Sequence, residues 1–189
     1  PGFGGIEGFT YQPEKAKKLM KKYIQNTGHK TPQVTISTNA QYVDLIEFIQ
    51  AELSDFGIKV KVNVLPASTL RQKRSSGQLD AFRASWIADY PDAQNYLSLF
   101  YSKNKSPNGP NYTHFESRFY DSIYKKSLKT SSQKQRVQYY HQLDSLIIDE
   151  AVIIPLFYDE VIRFKQQNIK GLGINPVNLL DLKNVYKTK

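Results

Sequence analysis

Apolar residues Ala16, Leu19, Met20, Tyr23 and Ile24 recur at helical spacing behind Pro13 and Glu14, and Gly28 closes the run. Proline at the first turn, an acid beside it and glycine just past the end predict a helix there. Val34 and Ile36 alternate with polar neighbours, which predicts a short strand over 33–38. Leu45, Ile46, Ile49, Leu53 and Phe56 form the buried stripe of a second helix, 41–56, with Gly57 at its left-handed cap position. Strict alternation from Ile58 to Val64 predicts a strand with one dry and one wet face, ended by Pro66. Ser68 can cap a short helix that runs to about Ser76 and stops at Gly77.

A third strand is predicted over 79–87. If it stays extended, Arg83, Ser85, Ile87 and Asp89 share one side, and Phe82, Ala84 and Trp86 share the other. An amphipathic helix over 94–101 and a surface loop over 102–111 follow, then a helix over 116–129 carrying Phe119, Ile123, Tyr124 and Leu128. Ser132 and Gln135 make a capping box for the longest helix, 133–149, which packs through Val137, Tyr140, Leu143 and Ile147. Ala151 to Tyr158 reads as an apolar strand interrupted by Pro155, and Val161, Ile162 and Phe164 suggest one more. Periodicity then fades, with Gly171, Gly173 and Pro176 before a last short segment at 182–186. Helices and strands alternating with short connections indicate an α/β layer structure.

Composition narrows the class. Over 189 residues, 40% hydrophobic and 13% aromatic content supports a real core and argues against disorder. The absence of cysteine excludes a disulfide scaffold and thiol chemistry. No apolar run reaches the roughly 18 residues of a membrane span. The net charge of +9 invites a nucleic-acid or anionic-membrane reading, but lysines are spread along the chain. The densest group, Lys15, Lys17, Lys18, Lys21 and Lys22, shares a helix with an apolar face and reads as a solvated surface. His29, His114 and His141 share no ligand spacing, no HExxH or G-x-S-x-G occurs, and the glycines of 2–8 precede no Gly-Lys-Ser/Thr. Nothing here points to metal, cofactor or catalysis. The chain opens on Pro1 with no signal-peptide pattern, which reads as a processed or excised piece.

The most informative stretch is Ser85 to Asp92, an apolar segment with the single tryptophan that breaks at an acid, an aromatic residue and a proline. Taken alone it reads as a buried Trp before an ordinary turn sooner than as a ligand-presenting strand end. Its surroundings sharpen it. Tyr11-Gln12-Pro13-Glu14-Lys15-Ala16-Lys17-Lys18-Leu19 resembles the Y-D-P-E-K-A-K-x-L helix start of the oligopeptide- and dipeptide-binding proteins of ABC importers, the family 5 extracellular solute-binding proteins. Gly77 to Phe82 and Trp86 to Pro91 resemble that family's G-x-(F/Y)-D…W…D-Y-x-D/E-P region. Tyr120-Asp121, the 136–149 helix, Ile154 to Tyr158 and Asn175-Pro176 follow in the family's order. Two departures are Gln12 where the family has Asp, and Pro91-Asp92-Ala93 in place of the acidic-Pro order.

The resemblance implies an α/β, periplasmic-binding-protein-like C-terminal lobe with a mixed sheet flanked by helices. It implies a leading segment over 1–9, a ligand-binding lobe over 10–158, and a tail over 159–189 that crosses a hinge toward an absent N-terminal lobe. It implies a non-enzymatic binder that captures peptides between two lobes and delivers them to ABC permease subunits. The location implied is periplasmic or extracellular, with lipoprotein anchoring, and no nucleic-acid partner. Asp89 then pairs with a ligand α-amino group, Arg83 approaches a ligand carboxylate, and Trp86 and Tyr90 are aromatic walls. Other solutes bound within the family, nickel complexes or oligosaccharides, stay open, as does a basic interaction module. A hydrolase is disfavoured by the missing motifs.

Overall fold

The structure is a computed structural model that describes residues 8–158, 160–175 and 179–189. The leading glycines of 1–7, Asp159 and Pro176 lie outside the described residues. Helices α1 (Pro13–Thr27), α2 (Val43–Ser54) and α3 (Ala67–Ser75) alternate with strands β1 (Gln33–Thr38), β2 (Lys59–Val64) and β3 (Ala81–Phe82). The strands form a parallel sheet in the order β2-β1-β3. Parallel neighbours need crossover helices, and α2 and α3 supply them. Ile46, Val60 and Leu70 are the buried apolar residues of this half. Gln50 on α2 donates to the Val60 carbonyl at 2.7 Å, fastening the helix to the edge strand.

The second half is helical. A short α4 (Gln94–Leu97) continues as a 3-10 turn through Phe100, and α5 (Arg118–Lys129) packs on α6 (Gln133–Asp149). Leu97, Phe100, Tyr120, Ile123, Tyr124, Tyr140, Leu143 and Ile147 form one buried cluster. The stripe of α5 is rotated from the expected one. Tyr120, Ile123, Tyr124 and Ser127 face inward, while Phe119 is 65% exposed and Leu128 is also exposed. The inward set follows strict 3.6-residue spacing, and the small Ser127 allows α6 to approach. On α6 the cap is half a box: Ser132 Oγ accepts from the Gln135 amide, but Gln135 Oε1 accepts from Thr130 Oγ1. Thr130 Oγ1 takes the Ser132 N–H instead, so the reciprocal bond closes through a third side chain. Similarly, α3 begins at Ala67 behind Pro66, with no side-chain cap from Ser68.

Three strand expectations are corrected. Only Ala81 and Phe82 of the 79–87 segment join the ladder, because β1 ends at Thr38 and leaves the continuing chain without a partner. Residues 151–158 are not a strand. Ala151 takes a φ of 51° that turns the chain out of α6, and Pro155 offers no N–H to a ladder. The run at 161–164 is likewise not a strand. The described tail forms instead a two-stranded antiparallel ribbon, β4 (Ile169–Lys170) with β5 (Tyr186–Lys187). Parallel and antiparallel pairing therefore both occur, but in separate sheets.

Gly77 marks where α3 is tied to the loop ahead of α5. Its φ is +68°, and a Cβ there would meet the His114 ring at 3.2 Å. That ring cannot yield easily: His114 Nε2 lies 3.1 Å from Ser106 Oγ, which donates to the Ser75 carbonyl at 2.8 Å. Gly77→Ala is therefore expected to lower the denaturant midpoint by an amount worth about 1–3 kcal/mol, combining the left-handed backbone penalty with crowding. A variant as stable as the wild type would show that this junction is loose.

Candidate functional site

In open parallel sheets, ligands sit beyond the carboxyl ends of the strands, where the connections leave in opposite directions. Here that point lies between β1 and β3, since β2 pairs on one side of β1 and β3 on the other. A groove of about 160 Å³ opens there, lined by Thr38 and Asn39 at the end of β1, Tyr42, α3 residues including Arg71 and Arg74, and Arg83 to Ser85. Arg83 is the first residue past β3, and its N–H donates to the Ser37 carbonyl at 3.0 Å. That one bond extends the ladder and fixes the position of its Cα. The guanidinium of Arg83 stacks 3.4 Å from the Tyr42 ring centroid, and that of Arg74 lies 4.2 Å from the Tyr112 ring. Stacking fixes the plane of a guanidinium but leaves its in-plane N–H donors available. The described ion pairs are Lys17–Glu14, Lys105–Glu116 and Arg136–Asp92, so no described carboxylate neutralises Arg71, Arg74 or Arg83. Arg74 Nε and Asn39 Oδ1 are buried with no hydrogen-bond partner among the described residues. The groove is thus lined by three arginines, with one buried donor and one buried acceptor still unmatched.

Asp89 lies further along the same segment and is exposed. Trp86 and Asp89 were expected on opposite sides of a regular strand, but they converge on one residue. Trp86 Nε1 donates to Asn95 Oδ1 at 2.7 Å, and Asn95 Nδ2 donates to Asp89 Oδ2 at 3.3 Å. The alternation fails because the ladder stops at Phe82 and the chain coils freely afterwards. Trp86 is half-buried, with an outer face that can serve as a wall.

Tyr90 enters a different network. Its hydroxyl donates to Gln94 Oε1, and Gln94 Nε2 donates to the Tyr124 hydroxyl of α5. Asp92 fixes the turn from below: its Oδ1 accepts from the Gln94 amide at 2.9 Å and from the Tyr140 hydroxyl at 2.9 Å. Arg136 Nη2 lies 3.6 Å from the other carboxylate oxygen. Burial first, and the Asp92 carboxylate second, push the Tyr140 phenol well above the usual tyrosine range. Moving the acid to position 92 therefore does not leave the turn unsupported, because α6 holds it.

The four sequence-proposed residues thus lie along one continuous segment, with Arg83 in the groove and Trp86, Asp89 and Tyr90 on the turn beyond it. Sequence reasoning missed Tyr42, Arg71 and Arg74 around Arg83, Asn95 beside Asp89, and the hold of Tyr140 and Arg136 on Asp92. Arg71 and Arg74 stand at helical spacing, which could have marked a shared face of α3. Asn95 carried no such signal, since two residues from Ala93 and from Leu97 it does not share their helical face. Ser106 and His114 touch, but the Ser106 hydroxyl donates to the Ser75 carbonyl, so the pair is a strut and not an activated nucleophile.

An α/β lobe with a charged groove at its strand ends is the architecture of the periplasmic binding proteins. The model of the bacterial extracellular solute-binding proteins, family 5 Middle, matches residues 1–108, and the chain belongs to this family. The dipeptide-binding protein DppE of Bacillus subtilis is 27% identical over 173 residues, which is 89% of this chain and 31% of that protein. The solved DppA of Helicobacter pylori, in complex with the peptide STSA, superposes with a TM-score of 0.78 at 26% identity, over 99% of this chain and 36% of its own. The murein tripeptide binding protein MppA of Escherichia coli shares the fold with a TM-score of 0.80 at 20% identity, over 100% of this chain and 38% of its own. The chain spans about a third of the length of the curated relatives it matches, 31% and 34% of the first two.

Proposed function

We propose that this chain is the ligand-binding lobe of an extracytoplasmic solute-binding protein that captures peptides and hands them to the permease of an ABC importer. The observation that carries the reading is a pair of opposite charges on one short segment. Asp89 is an exposed carboxylate held by a buried amide, and Arg83 is a stacked guanidinium with no described acidic partner. A free peptide is a zwitterion and matches such a pair at its two ends. Asp89 lies six positions after Arg83, so their Cα atoms are at most about 20 Å apart, within reach of a short peptide.

On this reading residues 10–158 form the lobe and 159–189 lead toward a second lobe, with the ligand enclosed by hinge closure. Exposed apolar side chains along the later chain support it: Ile154 is 79% exposed, Phe164 94% and Ile174 89%. Solvent-facing apolar rows of this kind call for a cover. The protein acts as a binder and not a catalyst, outside the cytoplasmic membrane and anchored as a lipoprotein. Calorimetric titration of the full-length protein with free di- to tetrapeptides, peptides blocked at both ends, nickel chelates and oligosaccharides tests the ligand class. Binding confined to free peptides is the expected result, and tighter binding of a sugar or a metal complex would overturn it.

A further inference from the structure

We infer that Asn95 is a positioning residue, which aims the Asp89 carboxylate at the ligand and locks Trp86 with the same amide. The inference rests on the reading of Asp89 given above and adds to it the group that sets its direction. Asn95 is 3% exposed, the first buried residue after the turn, and it sits within α4. Its two partners leave no choice about how the amide points. An indole N–H can only donate and a carboxylate can only accept, so Oδ1 faces Trp86 and Nδ2 faces Asp89. A side chain of this size with an acceptor at one side and a donor at the other is an asparagine. Aspartate would set a second negative charge against Asp89, and leucine would strand the indole donor.

The base of the relay is rigid. Leu97 and Phe100, on the same helical run, are part of the buried cluster with Tyr120, and the Tyr120 hydroxyl donates to the Leu97 carbonyl at 2.7 Å. Asn95 is further tied by its own backbone: its N–H donates to the Asp92 carbonyl at 3.0 Å, and its carbonyl accepts from Ser98 Oγ at 2.8 Å. Asp89, by contrast, is exposed and on irregular chain, so the bond from Asn95 is what restricts its rotamer. The second carboxylate oxygen, Oδ1, is left for an incoming ammonium.

The test is the ratio of affinities for one free tripeptide and its N-acetylated form, measured by calorimetry on the full-length protein. Acetylation removes the charge that Asp89 is proposed to hold and leaves the rest of the peptide. The wild type is expected to prefer the free peptide strongly, and Asn95→Ala to lower that ratio about tenfold, the scale of one hydrogen bond to a charged group. Trp86→Phe keeps the Asn95–Asp89 bond but frees the other end of the amide, and is expected to lower the ratio severalfold. It decides the question if Asn95→Ala does not fold. A role confined to packing lowers both affinities equally and leaves the ratio unchanged. An unchanged ratio in a folded Asn95→Ala, or in Trp86→Phe if that variant alone folds, overturns the assignment of Asn95. A wild-type ratio near one overturns the reading of Asp89 itself, and the assignment with it.

Discussion

Tyr120→Ala is expected to cost about 3–5 kcal/mol of folding stability, the range for removing a fully buried aromatic side chain. Tyr120 is 0% exposed and meets three other rings. It is edge-to-face with Phe115 at 5.7 Å and with Phe100 at 6.4 Å, and stacked with Tyr124 at 6.4 Å. Its hydroxyl, whose ionisation burial pushes far above the ordinary range, donates to the Leu97 carbonyl at 2.7 Å. The truncation therefore leaves a cavity and removes the bond to the Leu97 carbonyl together. Tyr120→Phe isolates the second effect and is expected to cost about 1–2 kcal/mol. Denaturant unfolding followed by circular dichroism measures both. A loss below about 1 kcal/mol for the alanine variant would mean that the α4–α5–α6 cluster is not the core of this half.

Much of the fold is legible in the chain because its signals are local. Pro13 at the head of α1, the alternation through β2 and the apolar stripe of α2 each mark an element from its own residues. The errors arise where a neighbour decides. Residues 83–87 look as strand-like as 79–82, yet the ladder ends where β1 ends, and nothing in the segment itself records the length of β1. Ile153, Ile154, Leu156 and Phe157 read as part of an apolar strand because a short apolar run fits one. Here the run has no described sheet to join and its side chains face outward. On α5 the choice between Phe119/Leu128 and Tyr120/Ser127 as the inward set cannot be made from hydrophobicity, since tyrosine and serine are the less apolar pair. Tyr120 is inside because its hydroxyl has a carbonyl to reach.

The site divides in the same way. Asp89, Arg83, Trp86 and Tyr90 stand out from their place after an apolar segment, and the family motif supports them. Their partners do not, because Asn95, Tyr42 and Arg74 become visible only when the chain folds them beside the first set. Position 92 is instructive. It departs from the family's acidic-Pro order, and Tyr140 and Arg136 from α6 converge on Asp92 and hold it in place. A helix from far along the sequence thus fixes the turn that carries the proposed ligand group.

Asp89→Ala is expected to weaken binding of a free tripeptide on the order of 100-fold, within the roughly 2–5 kcal/mol for truncating one partner of a buried charge pair. The loss belongs to the ligand, because the side chain is exposed in the lobe and bonds only Asn95 among the described residues. Stability of the ligand-free protein should therefore change little. The direct measurement is a calorimetric double-mutant cycle on the full-length protein, crossing wild type and Asp89→Ala with the free and N-acetylated tripeptide. A coupling of about 2 kcal/mol or more between the carboxylate and the α-amino group is predicted, with the acetylated peptide nearly indifferent to the substitution. Equal losses for both peptides would contradict the account, since Asp89 would then be doing something other than holding the amino end of a ligand.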